Sequence, residues 1–525
     1  MNIHPIDLTI ILFYILSVTI VGVRLSGRLT SSRDYFLGNR ILPWWAVCLS
    51  VVATETSTLT FISLPGLAYV GNLNFLQLGF GYILGRIVVS FLFIPAYVSG
   101  ELSTSYSLLK NKFGSNVRTF SSIIFIITRL LADGVRLFAT AIPLSIMTGW
   151  SLALCIIIIA FVTLIYTSIG GIKSVVWIDV IQTFIYVGGA IIAGFYILQH
   201  LPDGWQSVLN AAGIENKLQV FNLSRGSSFL NFLQTNYTLP ASLIGGAFLS
   251  MASHGTDQII VQRLLACRST RDSQKALITS GFIVLVQFAI FLVLGLLLYA
   301  FYNGVDMRSD EILPRFIIEE LPTGLSGLII ASVFAAAMST LSSSLNSLAS
   351  STMFDLFLPH IKLSPSRELV VSRLFTLVWG IVFIGGAMVF RDMNNPVVEL
   401  GLAISSFTYG SVLGAFFLAM TKRHISADGI LVAMWSTILI MIWFIGPAVF
   451  VQIMLLSIVA LAGVWIFVVI QNRYRLYQLG MTITALILFL LVASPQIAWP
   501  WYVLTGTGLM YVLGTLMGST SKQRA

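Results

Sequence analysis

The chain has 525 residues, of which 57% are hydrophobic and only 9% charged, with a formal net charge of +9. Its mean hydropathy is +0.93. A soluble domain carries about 25% charged residues, so a water-soluble globule with one anchor is excluded, and the whole length belongs in lipid. Only helices and closed barrels satisfy their backbone there. The apolar runs are about 20 residues long, which fits helices rather than the shorter alternating strands of a barrel. The fold class is therefore an all-α polytopic membrane protein.

In chain order, apolar runs fall near 6–26, 41–70, 73–100, 119–148, 151–168, 176–199, 239–266, 276–302, 323–355, 369–390, 397–420, 428–447, 450–470, 478–495 and 498–518, about fifteen expected spans. The N-terminus lacks a basic leader and a small-residue cleavage site, so the first run reads as a retained helix. With the N-terminus outside, the outer segments hold only Lys217, Arg225, Arg308, Arg315 and Arg391. The inner ones hold most other Lys and Arg, Arg263 included, which predicts N-out, C-in in the plasma or inner membrane. The positive charge is thus topogenic, and no nucleic-acid partner is expected. Cys48, Cys155 and Cys267 are too scattered for a disulfide framework or a zinc site.

The second run carries "SVVATETSTLTFISLPG" from Ser50 to Gly66. An ionisable residue among hydroxyls, followed by Pro-Gly, is costly in an uninterrupted lipid-facing helix. The seventh, "LPASLIGGAFLSMASHGTDQIIVQRLL", is interrupted by Gly245, Gly246, Ser250, Ser253, His254 and Gly255. Paired interruptions in two halves point to an inverted-repeat transporter, whose unwound backbone binds ions and solute at the midplane. A kink without function is the plainer alternative. In the ninth run, "FAAAMSTLSSSLNSLAS", Ser339, Ser342 and Asn346 recur on one face beside Thr340 and Ser343. Small-residue packing and ligation of a hard monovalent cation both account for it.

"DYFLGNR" (Asp34 to Arg40), "IGGIKSVVWIDVIQ" (Ile169 to Gln182), "TDQIIVQR" (Thr256 to Arg263) and the Ser-rich ninth run together resemble the sodium/solute symporter family, over roughly residues 6 to 420. That family includes sodium-coupled sugar, proline, sialic acid and monocarboxylate carriers. The resemblance implies a 5+5 inverted-repeat core of the leucine-transporter type with extra terminal helices. The first repeat would cover 41–199 and the second 239–420. Residues 1–40 would form an extra helix and loop, 200–238 an extracellular loop, and 421–525 further helices. The implied function is alternating-access symport of sodium with a small polar organic solute: a sugar, sugar acid, amino acid or carboxylate.

Carried over residue by residue, the main sodium site is implied at Ala53, Thr56, Ala336, Ser339 and Thr340, the last a departure from the more usual Ser. A second sodium is implied at Asp179 with Ser339, Ser342 and Ser343. The plainer reading of Asp179 is a cap in the first turn of the sixth span. Solute contacts are implied at Glu55, Ser57, Thr58 and Thr60, with Phe75 as an outer lid. "GVRLF" (Gly134 to Phe138) resembles the "GARLF" of the proline-carrier branch. Arg129, Asp133 and Arg136 share one helix face, and Arg129 and Arg136 are candidate solute contacts. The buried acids Glu55, Asp133 and Asp179 balance the bases Arg86, Arg129 and Arg136, so mutual pairing is the plainer reading. No enzymatic signature such as HExxH or GxSxG occurs, and neither an enzyme nor a cofactor beyond the coupling sodium ion is expected. Membrane lipids are the remaining partner. An ion channel, a membrane-embedded enzyme and a symporter-like sensor are the competing classes.

Overall fold

The computed structural model describes residues 3–445 and 497–518, apart from Ser26, Arg28, Glu101, Ala212, residues 225–227 and 390–396, and His424. The described chain is helical. We number its longer helices α1 (Pro5–Leu25), α2 (Trp44–Glu55), α3 (Thr58–Val70), α4 (Leu76–Leu92), α5 (Ser115–Thr148), α6 (Leu152–His200), α7 (Gly246–Gly255), α8 (Gln258–Leu265), α9 (Thr270–Phe301), α10 (Leu325–Ser351), α11 (Pro365–Val389), α12 (Val397–Met420), α13 (Ala427–Ile445) and α14 (Tyr502–Gly518).

Six described helices are long and apolar enough to cross a membrane, and α2 with α3 forms a seventh, bent span. The expected count of about fifteen is not reached by this measure. One reason is that α6 holds two of the expected spans. A straight helix of its 49 residues would run about 74 Å, more than twice a hydrocarbon core of about 30 Å. It breaks at Gly171, whose φ of 57° and ψ of −153° lie outside the helical region. The expected runs 450–470 and 478–495 lie outside the described residues.

Buried α10 is the axis of the bundle. Every residue from 329 to 351 is shielded, which its small residues permit by letting neighbouring backbones approach. The N-terminal helix is tied to it by one carboxylate. Asp7 Oδ1 accepts from the amides of Gly324 (2.7 Å) and Gly327 (2.9 Å), satisfying donors that the start of α10 leaves without intrahelical partners. Close packing also fixes α4 against α7, since a Cβ on Gly85 would sit 2.4 Å from the Ala247 carbonyl.

The second interruption differs from expectation. Gly245 ends a π-helical turn over Ala241–Gly245, and α7 then runs unbroken through Ser250, Ser253 and His254 to Gly255. The helical path is lost one residue later, at Thr256 (φ −122°, ψ −21°) and Asp257 (φ −77°, ψ 128°). Asp257 then caps α8 by accepting from the Ile259 amide at 2.9 Å. Glycine clustering marked the neighbourhood, but the capping aspartate sets the break.

Gly171 is a backbone position sensitive to substitution. Besides its positive φ, a Cβ there would lie 2.3 Å from the Tyr35 carbonyl. Gly171→Ala is expected to cost about 1–3 kcal/mol and to lower the melting temperature in detergent. Gly188→Ala, on the same helix with nothing within 4 Å of its Cβ, is expected to leave it unchanged or higher.

Candidate functional site

The α2–α3 span bends by 63° across two non-helical residues, Thr56 (φ −83°, ψ 93°) and Ser57 (φ −85°, ψ 170°). In an uninterrupted helix the Ser57 amide would bond the Ala53 carbonyl. Here it turns to the Glu55 carbonyl at 3.2 Å, and the Ala53 carbonyl accepts instead from Ser339 Oγ of α10 at 2.9 Å. Ser339 Oγ also reaches the Ala336 carbonyl at 3.2 Å, and Thr340 Oγ1 lies 3.4 Å from it. Ala53, Ala336, Ser339 and Thr340 therefore bring their oxygens to one place. These neutral, hard oxygens suit a small monovalent cation. Thr56 sits in the break, and its hydroxyl accepts from Gln287 Nε2 of α9 at 2.7 Å.

Next to the break lies a cavity walled by Glu55, Ser57, Thr60, Phe75, Arg129 and Arg136 among others. Thr340 also lines it, so the oxygens gathered at the break border this cavity. Phe75 packs edge-on to Phe288 at 5.4 Å between centroids. Thr58 is displaced from its expected place: its hydroxyl donates to the Val333 carbonyl at 3.2 Å, and it lines a smaller pocket with Asp133 and Arg136.

The charges pair, but not only with the expected partners. Glu55 accepts from Arg86, with His254 Nε2 3.6 Å away. Arg86 in turn donates to Ser280 Oγ at 2.6 Å. Arg129 bonds Asp257, and Arg136 bonds Asp133 at 3.1 Å. Among these cavity-wall charges Arg136 is the most exposed, its side chain 20% accessible against 14% for Glu55 and 6% for Arg129.

Asp179 is not a cap in a first turn. It lies within α6, beyond the Gly171 break, and accepts from Ser50 Oγ (2.5 Å) and from Arg263 (3.1 Å). Arg263, assigned from sequence to a loop, is fully buried. It also donates to Ser50 Oγ at 2.8 Å and to Ser343. Among the described residues Asp179 Oδ1 has no hydrogen-bond partner. Ser342 Oγ donates to the Ser339 carbonyl at 3.0 Å. Asn346, placed with the serines by spacing, instead accepts from Gln262 Nε2 at 2.5 Å.

Sequence reasoning passed over Asp257, Arg263, Tyr409 and Phe288 as site residues. The first two stand inside "TDQIIVQR", where an acid and a base six residues apart in an otherwise apolar run were the available signal. Tyr409 and Phe288 carry no local signal.

Known proteins match this chain along most of its length. Residues 35–440 match the sodium:solute symporter family model. A sodium/sialic acid symporter of Proteus mirabilis (strain HI4320) is 29% identical over 445 residues, 83% of this chain and 88% of that protein. The human sodium/iodide cotransporter is 27% identical over 446 residues, 81% of this chain and 66% of that one. A solved substrate-bound, outward-open sodium-coupled sialic acid symporter superposes with a TM-score of 0.80 at 25% identity, covering 98% of this chain and 97% of the other.

Removing one member of a buried ion pair costs about 3–5 kcal/mol because the other is left uncompensated. Glu55→Gln should therefore lower the melting temperature in detergent, and Glu55→Gln combined with Arg86→Gln should recover part of the loss. Wild-type stability of the single variant would show that the pair carries no such weight.

Proposed function

The chain belongs to the sodium:solute symporter family, and on that premise we propose that it couples sodium bound at the α2–α3 break to import of a small polar carboxylate, a sugar acid or hydroxy acid, anchored by Arg136. Ala53, Thr56, Ala336, Ser339 and Thr340 are the proposed sodium ligands. The observation that carries the solute reading is Arg136. It lines the cavity and is more exposed than the neighbouring charges, and a single hydrogen bond joins it to Asp133. A guanidinium has five donors in a planar fork that matches a carboxylate. The sialic acid symporters among the relatives and the mouse sodium-coupled monocarboxylate transporter 2 move solutes of that chemical kind. Phe75, Phe288 and Tyr82 offer an apolar wall for the rest of the molecule.

Ser57 and Thr60 are proposed to meet the solute's hydroxyls. Glu55 and Arg129, each engaged by a partner, shape the cavity instead of binding solute directly. A second sodium at Asp179, Ser339, Ser342 and Ser343 would use Asp179 Oδ1 while sharing the carboxylate with Arg263. The two interrupted helices are read as the first helices of inverted repeats over 41–199 and 239–420. From the Lys and Arg distribution the N-terminus is read as outside and the C-terminus as cytosolic. Transport is then a change of access to one site, with no bond in the solute made or broken.

Uptake into proteoliposomes, using radiolabelled sialic acid and a panel of hydroxy and keto carboxylates, tests both halves of the reading. Ser339→Ala with Thr340→Ala should raise the sodium concentration for half-maximal uptake by about tenfold or more. Arg136→Lys should raise the solute KM by about tenfold to hundredfold while sodium dependence stays nearer to wild type. Unchanged sodium dependence in the first would remove the assigned sodium site. An unchanged KM in the second would remove the carboxylate anchor.

A further inference from the structure

Three elements meet at one carboxylate. Asp257 Oδ1 caps α8 through the Ile259 amide at 2.9 Å. Asp257 Oδ2 accepts from Arg129 of α5 and from the Tyr409 hydroxyl of α12, the latter at 2.7 Å. Arg129 also bonds the Tyr409 hydroxyl, and its guanidinium carbon lies 5.7 Å from the centre of that ring. All three side chains are buried, and all three line the cavity. The non-helical residues Thr256 and Asp257 separate α7 from α8 at this junction.

Each charge in the junction also has a second partner that stays with it. Arg129 Nη1 is 3.6 Å from Asp133 Oδ1, one helical turn along α5. Asp133 is itself held by Ser344 Oγ at 2.6 Å and Arg136 at 3.1 Å. Asp257 keeps the α8 amide, which belongs to its own helix. Separating two buried ions is costly mainly when one is left uncompensated. Here separation of α8 from α5 trades Asp257 for Asp133 at Arg129 and leaves Asp257 on its cap, so the contact is strong when closed yet cheap to part.

On the far side of this junction from the Phe75 and Phe288 lid, the chain is closely tied. Gln258 Oε1 accepts from the Ser105 amide at 2.8 Å, and Gln262 Nε2 donates to the Phe36 carbonyl at 2.8 Å. We propose that Asp257 is a positioning residue of the transport cycle: by clasping Arg129 and Tyr409 it holds the solute cavity shut toward the end of the bundle formed by residues 102–114 and 266–270. Its release opens that end. This inference rests on the cavity being the solute site of a sodium symporter.

The test uses full-length protein in proteoliposomes with a Ser253→Cys reporter on the cavity wall, read by a membrane-impermeant methanethiosulfonate reagent applied to either face in sodium. The three natural cysteines are buried. The reporter should react from the face bearing residues 200–238 and be protected from the other. Asp257→Asn keeps a capping oxygen but removes the charge. It should raise the reaction rate from the protected face by about tenfold, the equivalent of losing a hydrogen bond to a charged group, and lower sodium-driven accumulation more than solute exchange. Tyr409→Phe leaves both charges in place and should shift the rate in the same direction by a smaller factor, which keeps the test decisive if the Asn variant fails to fold. Wild-type protection in both variants would overturn the role of Asp257 and leave the cavity intact. Equal reactivity from both faces with Asp257 and Tyr409 unaltered would overturn the cavity reading together with the clasp.

Discussion

Two residues without helical geometry, Thr56 and Ser57, set the terms for what surrounds them. Within lipid a carbonyl deprived of its helical donor must find another partner, and the turn of the Ser57 amide toward Glu55 frees that of Ala53. Ser339 supplies the replacement from α10, so the broken helix and the buried axis of the bundle are joined at the place where a cation would bind. A sodium ion entering among these oxygens would take over contacts that the hydroxyl of Ser339 makes to the Ala53 and Ala336 carbonyls. That exchange gives the ion a differential hold on the arrangement of α2, α3 and α10, which any ligand-driven change of state requires.

Charge neutrality is the second constraint. Three buried arginines and the half-buried Arg136 each meet an acid: Arg86 with Glu55, Arg129 with Asp257, Arg136 with Asp133, and Arg263 with Asp179. Three of these pairs join different helices and act as cross-links: rupture of Arg86–Glu55 or Arg263–Asp179 would expose an uncompensated ion, whereas Arg129 keeps Asp133 within 3.6 Å when it parts from Asp257. The Arg136–Asp133 pair lies within α5, so it ties down no neighbouring helix, and Arg136 is left facing the cavity. The same distribution explains how a greasy chain tolerates so many ionised groups at depth. The proposed cation and solute sites would thus occupy adjacent walls of one cavity, whose lining includes Thr340.

Much of this is legible in the sequence. Composition imposed an all-helical membrane fold. The hydroxyl-rich stretch around Glu55 located the broken helix, because polar residues at that density have no use in an uninterrupted apolar span. The Ser-rich ninth run located its partner. What escaped were pairings that depend on which helices become neighbours. The sequence balance offered Arg86, Arg129 and Arg136 for Glu55, Asp133 and Asp179, whereas Asp179 is satisfied by Arg263 and Arg129 chiefly by Asp257. Arg263 was read as a loop charge because a base near the end of an apolar run is ordinarily topogenic. Of the residues marking the second interruption, Gly255 ends α7 while Ser250, Ser253 and His254 stay helical, since the break falls at Thr256 and Asp257. Thr58, next to the break in sequence, turns toward α10 because helical geometry resumes there and rotates it off the cavity face.

The account's central claim is that sodium and solute are bound by one connected arrangement at the α2–α3 break. It is tested most directly by equilibrium binding of the best-accumulated carboxylate across a sodium titration, together with sodium binding across a titration of that carboxylate. The account predicts that each tightens the other by the same factor, about five- to 150-fold for coupling free energies of ordinary size. Carboxylate affinity that is identical with and without sodium would contradict it.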